Sequence, residues 1–106
     1  MSSRGDLAFE AFADPTRRAI LRLLADEGES SAGDIASGIP SVGRTAVSSH
    51  LRILRAAGLV NERRQGRHRL YELRHEAAEE VMEFLAVLYR SSLADLKVRA
   101  ERPAEG

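Results

Sequence analysis

Eight arginines lie between residues 44 and 74, a stretch that holds only two acids, Glu62 and Glu72. A guanidinium group is planar and permanently charged, and its paired N–H groups match the oxygens of a phosphate. The stretch carries a net charge of +6, whereas residues 1–43 and 75–106 carry −3 each. This pattern is typical of a surface that binds a nucleic-acid backbone, although charge alone fits a solvated arginine-rich face equally well. The arginines are Arg44, Arg52, Arg55, Arg63, Arg64, Arg67, Arg69 and Arg74.

Residues suited to metal binding or catalysis are few. The chain has no cysteine, which excludes disulfides, thiolate metal sites and thiol nucleophiles. His50 falls beside the apolar stripe of its helix and is interpreted as a hydrogen-bonded residue, while His75 and Glu79 offer only two ligands for a metal. No nucleophile with a base, no carboxylate pair and no phosphate-binding loop can be assembled. We therefore expect no metal, no cofactor and no enzymatic activity.

The length of 106 residues, 43% of them hydrophobic, is enough for one core. We expect residues 1–106 to form a single domain that is ordered from about residue 6 to residue 100, with short disordered tails. No apolar run approaches the ~20 residues that span a bilayer, and the first residues lack the apolar stretch of a signal peptide. These observations predict a cytoplasmic protein with no membrane partner.

Apolar periodicity and capping residues predict five helices, with a β-hairpin before the last one. Asp14 and Pro15 supply the N-cap and the first residue of the second helix, and Gly28 ends it. A capping box at 31–34 opens a third helix of about two turns, and a tight turn containing Gly43 leads into the fourth. The first and second helices are predicted at 7–13 and 15–27, and the third ends near residue 38. The fourth helix is predicted at 44–57, the hairpin at 59–74 and the fifth helix at 75–99.

The fourth helix has one packing face and one free face. Val47, Leu51 and Leu54 lie on one stripe, and the opposite side is polar and basic. Two helices joined by a tight turn, the second with such an outer face, form a helix-turn-helix, whose second helix reads base edges with its N-terminal end. An arginine can donate hydrogen bonds to guanine, and a hydroxyl group can bind a base or a phosphate. Residues one to two turns further along the helix are expected to contact phosphates. The serines are also consistent with ordinary solvent-facing helix residues. The candidate DNA contacts are Arg44, Thr45, Ser48, Ser49, Arg52 and Arg55.

The hairpin carries its charge at the tip, around a turn predicted at residues 65–66. Arg69, Tyr71 and Leu73 fall on one face of its second strand. The tip is too charged for a core element and suits contact with phosphates, while His68 fits a phosphate contact and a solvated residue equally well. The further candidate DNA contacts are Arg64, Arg67, His68 and Arg69.

The last helix is apolar over more than half of its circumference. One neighbour cannot cover that surface, so we expect the helix to pack on its own domain on one side and on a second copy of the chain on the other. Leu85, Leu88 and Tyr89 are assigned to this core or dimer seam in preference to a ligand pocket between helices.

Several strings of the sequence resemble the ArsR/SmtB family of winged helix-turn-helix repressors, over residues 7 to about 95. The chain departs from the family pattern in the turn before the fourth helix, which is longer by about one residue, and at Gly43, which stands where a serine cap is common. The matching strings are Asp14-Pro15-Thr16-Arg17-Arg18, Ala46-Val47-Ser48-Ser49-His50-Leu51, Ala57-Gly58-Leu59-Val60 and Arg63-Arg64-Gln65-Gly66-Arg67, followed by Tyr71 and Leu73.

The resemblance implies a winged helix-turn-helix fold, mainly α with a small β-hairpin. It implies that the helix at 44–57 enters the major groove, that the hairpin wing touches the flanking backbone, and that the first and last helices form a homodimer interface. The cysteine and Asp/His sets of metal-sensing relatives are absent from this sequence, which is similar to the metal-free autorepressors of the family. The implied interface residues are Leu7, Phe9, Phe12, Val81, Leu85, Leu88 and Tyr89.

Together these features predict a DNA-binding transcriptional regulator, a repressor that binds double-stranded DNA at an inverted-repeat operator as a homodimer. The alternative is a winged-helix module that binds a protein partner without sequence-specific DNA binding, and the basic segment argues against it. The residues identify no small-molecule effector.

Overall fold

Capping residues and apolar stripes set the bounds of five helices and three strands in the computed structural model, which describes residues 4–101 apart from the side chains of residues 4, 5, 77 and 98–101. The outermost residues of both tails, predicted to be disordered, lie outside the described residues. The elements are α1 (Arg4–Phe12), α2 (Pro15–Glu27), β1 (Ser30–Ser31), α3 (Ala32–Gly38), α4 (Arg44–Ala56), β2 (Val60–Gln65), β3 (His68–Leu73) and α5 (His75–Glu101).

The two ends of α2 are fixed by residues within the helix and immediately beside it. Asp14 is the N-cap, and its carboxylate accepts a hydrogen bond of 2.9 Å from the backbone N–H of Arg17. Pro15 takes the first helical position, where no N–H is needed. At the other end Gly28 has a φ of 79°, and its N–H donates to the carbonyl oxygen of Leu24 at 2.9 Å. Both predicted ends of α2 are confirmed.

Helices α3 and α4 form the predicted helix-turn-helix. Ser31 caps α3, because its Oγ accepts a hydrogen bond of 3.1 Å from the backbone N–H of Asp34. In α4 the side chains of Val47, Leu51 and Leu54 are at most 1% exposed, which confirms the predicted packing stripe. The opposite face of α4 is therefore left to solvent.

The sheet has three strands in the order β1-β3-β2, one strand more than the predicted hairpin. Strand β1 pairs antiparallel with β3, and Ser30 lies opposite Tyr71. Two residues are too few for a periodicity, so only the pairing partner reveals this strand. The turn between β2 and β3 falls at residues 66 and 67, one residue beyond the prediction, and Gly66 there has a φ of 61°, which favours glycine.

The core lies where α2, α3 and α4 meet the base of the sheet, and Ala8 and Ala11 of α1 pack against it. Among the described side chains, α5 contributes only Val81 to this core. The ring of Phe84 in α5 meets Phe9 of α1 edge-on, with centroids 5.2 Å apart and planes at 70°. The other large apolar residues of α5 stay exposed in the single chain. None of the described helices is long and apolar enough to cross a bilayer.

Candidate nucleic-acid interface

A groove of about 530 Å³ lies between α4 and the wing, the name used here for residues 60–73. Five arginines and one histidine line the groove, together with a single acid, Glu62. The structure thus brings most of the sequence-predicted contacts of α4 and of the wing to one concave, positively charged surface. The lining residues are Ser31, Ala32, Gly33, Arg44, Ser48, Arg52, Arg55, Glu62, Arg67, His68, Arg69 and Tyr71.

Helix α4 presents its polar residues opposite its buried stripe. Thr45 and Ser49 are exposed but lie outside the groove lining. Gly43 is the N-cap in an extended conformation and makes no side-chain capping bond, because glycine has no side chain. The residues of α4 that line the groove are Arg44, Ser48, Arg52 and Arg55.

The strand register divides the wing into two faces. Arg64 lies directly opposite Arg69, so these two side chains share a face, and strand alternation puts Glu62 on the same face. This face turns toward α4, because the Glu62 carboxylate reaches Arg55 there. Arg63 alternates to the other face. Arg69 lines the groove, whereas Arg64 lies outside the groove lining.

Half of the eight central arginines already have a carboxylate partner in the folded chain. Arg63 donates two hydrogen bonds of 2.6 Å to Glu29, and Arg74 donates one of 2.8 Å to Glu76. Two more arginines share Glu62. The positive charge open to a phosphate is therefore smaller than the sequence suggests. The four without an ion pair among the described residues are Arg44, Arg52, Arg64 and Arg67.

The pair of Arg63 and Glu29 ties the outer face of the wing to the segment before β1. The hydrogen bonds from the Arg63 guanidinium lower the pKa of the Glu29 carboxyl. Both side chains are partly exposed, so salt screens this pair and it adds little to stability. Its main consequence is that Arg63 is neutralised on the side of the wing away from the groove.

Glu62 is a groove residue that sequence reasoning missed. One carboxylate oxygen accepts a hydrogen bond of 2.8 Å from Arg55 Nη1, and the other lies 3.6 Å from Arg69 Nε. Burial raises the pKa of the neighbouring Tyr71 hydroxyl, and the negative charge of Glu62 raises it further. The signal in the sequence was strand alternation, because Glu62 stands two residues after the buried Val60 and so shares its face.

His50 lies on the side of α4 that faces the body of the protein, at a junction with α1 and α2. Its Nδ1 is 3.5 Å from Arg17 Nη1 and 3.9 Å from Asp14 Oδ2. The Arg17 side chain also donates to the carbonyl oxygens of Glu10 and Ala11 at the end of α1, at 3.1 and 2.9 Å. The hydrogen bond from the Arg17 backbone N–H lowers the pKa of the Asp14 carboxyl. His50 is a boundary residue, as predicted, whereas the central role of Arg17 was not anticipated.

The described side chains include no group of three or more His, Asp or Glu residues that could hold a metal ion. His75 and Glu79, the pair considered from the sequence, line an apolar depression on α5 together with Met82. The groove between α4 and the wing repels a cation, because its five arginines outnumber its one acid. Its electrostatics suit an anionic partner.

The residues predicted at a dimer interface differ in their exposure in the single chain. Val81 is 7% exposed and packs in the core of its own chain, so it leaves little surface for a partner. Leu85, Leu88 and Tyr89 are 50%, 49% and 64% exposed, so in the single chain they belong to neither a core nor an enclosed pocket. The remaining three are in α1, two half-buried and one exposed: Leu7, Phe12 and Phe9.

Comparisons with known proteins agree with the helix-turn-helix formed by α3 and α4. A family model described as "Helix-turn-helix domain" matches residues 12–63. The chain is 47% identical over 68 residues to the HTH-type transcriptional regulator Rv2034 of Mycobacterium tuberculosis, and the match covers 64% of this chain but only 62% of that relative. It is 42% identical over 65 residues to the transcriptional repressor SdpR of Bacillus subtilis, covering 61% of this chain and 70% of the relative.

A solved structure extends the likeness to nearly the whole chain. The ArsR-like transcriptional regulator from Rhodococcus sp. RHA1 superposes with a TM-score of 0.70 and 30% sequence identity, over 94% of this chain and 95% of that one. The shared fold therefore reaches well beyond the helix-turn-helix itself. The chain belongs to the ArsR family of winged helix-turn-helix transcriptional regulators.

Proposed function

We propose that this regulator is a repressor that binds an inverted-repeat operator as a homodimer, with α4 of each copy in the major groove and the wing along the flanking backbone. The observation that carries this proposal is that three arginines without an ion pair among the described residues, Arg44, Arg52 and Arg67, line one groove between α4 and the wing. Relatives named as a transcriptional regulator and a repressor support it. The whole chain then acts as one DNA-binding domain in the cytoplasm, without enzymatic activity.

Base reading is assigned to the first turns of α4. Arg44 stands at the N-terminal end of the helix, which reaches base edges in this motif, and a guanidinium can donate two hydrogen bonds to guanine. Thr45, Ser48 and Ser49 add exposed hydroxyl groups on the same turns. Arg52 lies two turns further along the helix, where the phosphates are nearer than the bases.

The wing is assigned to the backbone of the flanking DNA. A phosphate beside Arg64 and Arg69 relieves the repulsion between these opposite side chains, and Arg67 and His68 lie next to them at the turn. Phosphate contacts carry no sequence information, so the wing supplies affinity and orientation. Each contact adds about −0.9 to the slope of log affinity against log salt, which makes binding strongly salt-dependent.

The homodimer is proposed from the apolar surface of α5. Of the ten large hydrophobic residues exposed in the described chain, eight lie on this helix. Met82, Tyr89 and Leu96 recur every seven residues, which forms a stripe suited to a second helix. The contact of Phe9 with Phe84 makes α1 part of the same surface. Monomers rarely expose so large an apolar patch, so we assign it to a second copy around a two-fold axis.

Two arginine substitutions test the assignment of roles, with a duplex obtained by in vitro selection and a shuffled duplex of the same composition. Arg44→Ala should weaken binding to the selected duplex by about 1–3 kcal/mol and relax base preference. Arg67→Ala should weaken binding to both duplexes alike and lower the salt slope by about 1. Fluorescence anisotropy over a salt series measures both quantities. An equal loss of base preference in the two variants would show that the roles are wrongly assigned.

A further inference from the structure

The groove between α4 and the wing contains one acid, Glu62, in a place where a negative charge opposes phosphate binding. Its carboxylate uses one oxygen for Arg55 on α4, at 2.8 Å, and the other for Arg69 on β3, at 3.6 Å. The Glu62 side chain is 18% exposed, whereas the two arginine side chains are 61% and 57% exposed. The acid is thus enclosed in the groove wall while both guanidinium groups remain open to solvent.

The backbone keeps Glu62 in this position. Strand register places it opposite Tyr71, which is buried. It also shares its strand face with Val60, which packs in the core. A strand that is anchored by a core residue cannot rotate to move one side chain to the other face. Glu62 therefore stays on the strand face that is turned toward the two arginines.

We propose that Glu62 is a positioning residue for DNA binding, which holds Arg55 and Arg69 across the groove and competes with DNA phosphates for them. This inference rests on the DNA-binding function proposed above. Arg55 and Arg69 must exchange a carboxylate for a phosphate when DNA binds, whereas an arginine without a partner makes no such exchange. Affinity for DNA of any sequence is thereby lowered, because phosphate contacts carry no sequence information.

The bridge has a second effect, on geometry. Arg55 belongs to the helix assigned to the bases and Arg69 to the wing assigned to the backbone. A carboxylate that contacts both arginines sets the spacing of these two elements before DNA arrives. Glu62 thus acts on DNA binding both through its charge and by preorganising the groove.

The test replaces Glu62 with glutamine, which removes the charge and keeps the shape. Glu72→Gln is the matched control, because it makes the same change of net charge on the other face of the sheet, where Glu72 pairs with Asn61 and lines a separate depression beside α2. The probe is a mixed-sequence DNA duplex of about 30 base pairs, long enough for two half-sites one helical turn apart. Its Kd is measured over a series of KCl concentrations.

We expect Glu62→Gln to bind this duplex about 3- to 10-fold more tightly at low salt, with a slope steeper by up to about 0.9 for each arginine that gains a phosphate. Glu72→Gln should change the affinity less than about 2-fold and leave the slope unchanged, because salt screens a charge on the far face. Glu62→Asp keeps the charge but shortens the side chain by one methylene, so its slope should lie between those of the wild type and Glu62→Gln. All three variants should unfold at nearly the wild-type temperature, because the arginine partners of Glu62 are exposed and Glu72 is itself exposed.

If Glu62→Gln behaves like Glu72→Gln, or gives a shallower slope than the wild type, Glu62 does not compete with phosphate and this inference is wrong, while DNA binding itself stands. If the wild-type protein binds no duplex at any salt concentration, the proposed function fails instead. The two failures are distinguished by the wild-type curve alone.

Discussion

Helices α4 and α5 place their apolar side chains in opposite environments. In α4, Val47, Leu51 and Leu54 are buried in the chain's own core, and the free face is polar and charged. In α5, Leu85 and Tyr89 are half or more exposed. The packing of α4 is completed within one chain, whereas that of α5 is not. We therefore propose two kinds of partner, an anionic one for α4 and an apolar one for α5.

The two surfaces should respond differently to solution conditions. Binding of phosphates by arginines weakens steeply as the salt concentration rises, because the release of counterions from the DNA then contributes less favourable free energy. Burial of apolar surface is not weakened by salt, since it depends on water. Measuring the dissociation constants for DNA and for self-association over the same salt series therefore tests the difference between α4 and α5 directly.

The largest effect is expected from Leu85→Glu, which places a charge in the proposed interface once per copy. Because an unpaired buried charge costs about 3–5 kcal/mol, the dissociation constant of the dimer should rise at least about 100-fold. The fold of each copy should persist, since Leu85 is 50% exposed in the single chain. Sedimentation equilibrium measures the association, and circular dichroism checks the helix content.

Val87→Glu is the control for this substitution. Val87 is exposed to a similar degree, at 51%, but lies about 200° around the helix from Leu85. It lies on the side of α5 opposite the stripe of Met82, Tyr89 and Leu96, so it should raise the dissociation constant much less than Leu85→Glu. An equal effect of both variants would mean that α5 is covered on all sides, and no effect of either would remove the argument for a second copy.

The next largest effect is expected in α4, whose apolar stripe is buried within its own chain. Leu51→Ala should lower the free energy of unfolding by about 2–5 kcal/mol, because Leu51 is fully buried. Ile53→Ala should cost less than about 1 kcal/mol, because Ile53 is 43% exposed on the same helix. Urea unfolding at one fixed protein concentration compares the two. A cost for Ile53→Ala as large as that for Leu51→Ala would show that α4 also needs an apolar partner.

A smaller effect separates the two faces of the wing. Arg64→Ala removes an arginine that has no ion pair with any described residue and should lower the salt slope of DNA binding by about 0.9 per copy. Arg63→Ala removes its neighbour, which is neutralised by Glu29 on the other face, and should leave the slope nearly unchanged. Anisotropy titrations over a salt series decide the matter. If Arg63→Ala lowers the slope as much as Arg64→Ala, the pair with Glu29 opens on DNA.

The smallest effect is at the junction of Asp14, Arg17 and His50, which links α4 to α1. The pKa of the Asp14 carboxyl lies below its ordinary value of 3.8 in the folded protein. Its ionised form therefore stabilises the fold in full above that value, and the contribution is lost as the pH falls through the lower folded pKa. Asp14→Asn keeps a capping oxygen but has no such titration. The melting temperatures of the two proteins should differ at neutral pH and draw together as the pH is lowered below 3.8.

The helices were predictable to within a few residues because their signals are local. The cap formed by Asp14 and the turn at Gly28 each involve neighbours in the chain, and the stripe of α4 needs only its own periodicity. Strand β1 was missed because its two residues form a strand only through pairing with β3. The wing was placed correctly apart from a turn displaced by one residue.

The site was less predictable, since charge in a sequence does not say which charges meet. Arg63 and Arg64 are neighbours of the same type, yet one is paired with Glu29 from 34 positions away and the other has no ion pair among the described residues. Val81 and Leu85 were both assigned to a dimer seam, and only one of them is exposed. The single acid of the groove was overlooked among eight arginines.

The sequence by itself determined the order of helices and strands, the buried stripe of α4 and the excess of arginine in the middle of the chain. These properties depend on neighbours a few residues apart, which share one helix turn or one strand. Only the tertiary structure decided which arginines have no ion pair within the described part of the chain, and that Glu62 bridges Arg55 and Arg69. Ion pairs between distant segments depend on distances of a few ångströms, and those distances are set by how the helices pack on the sheet.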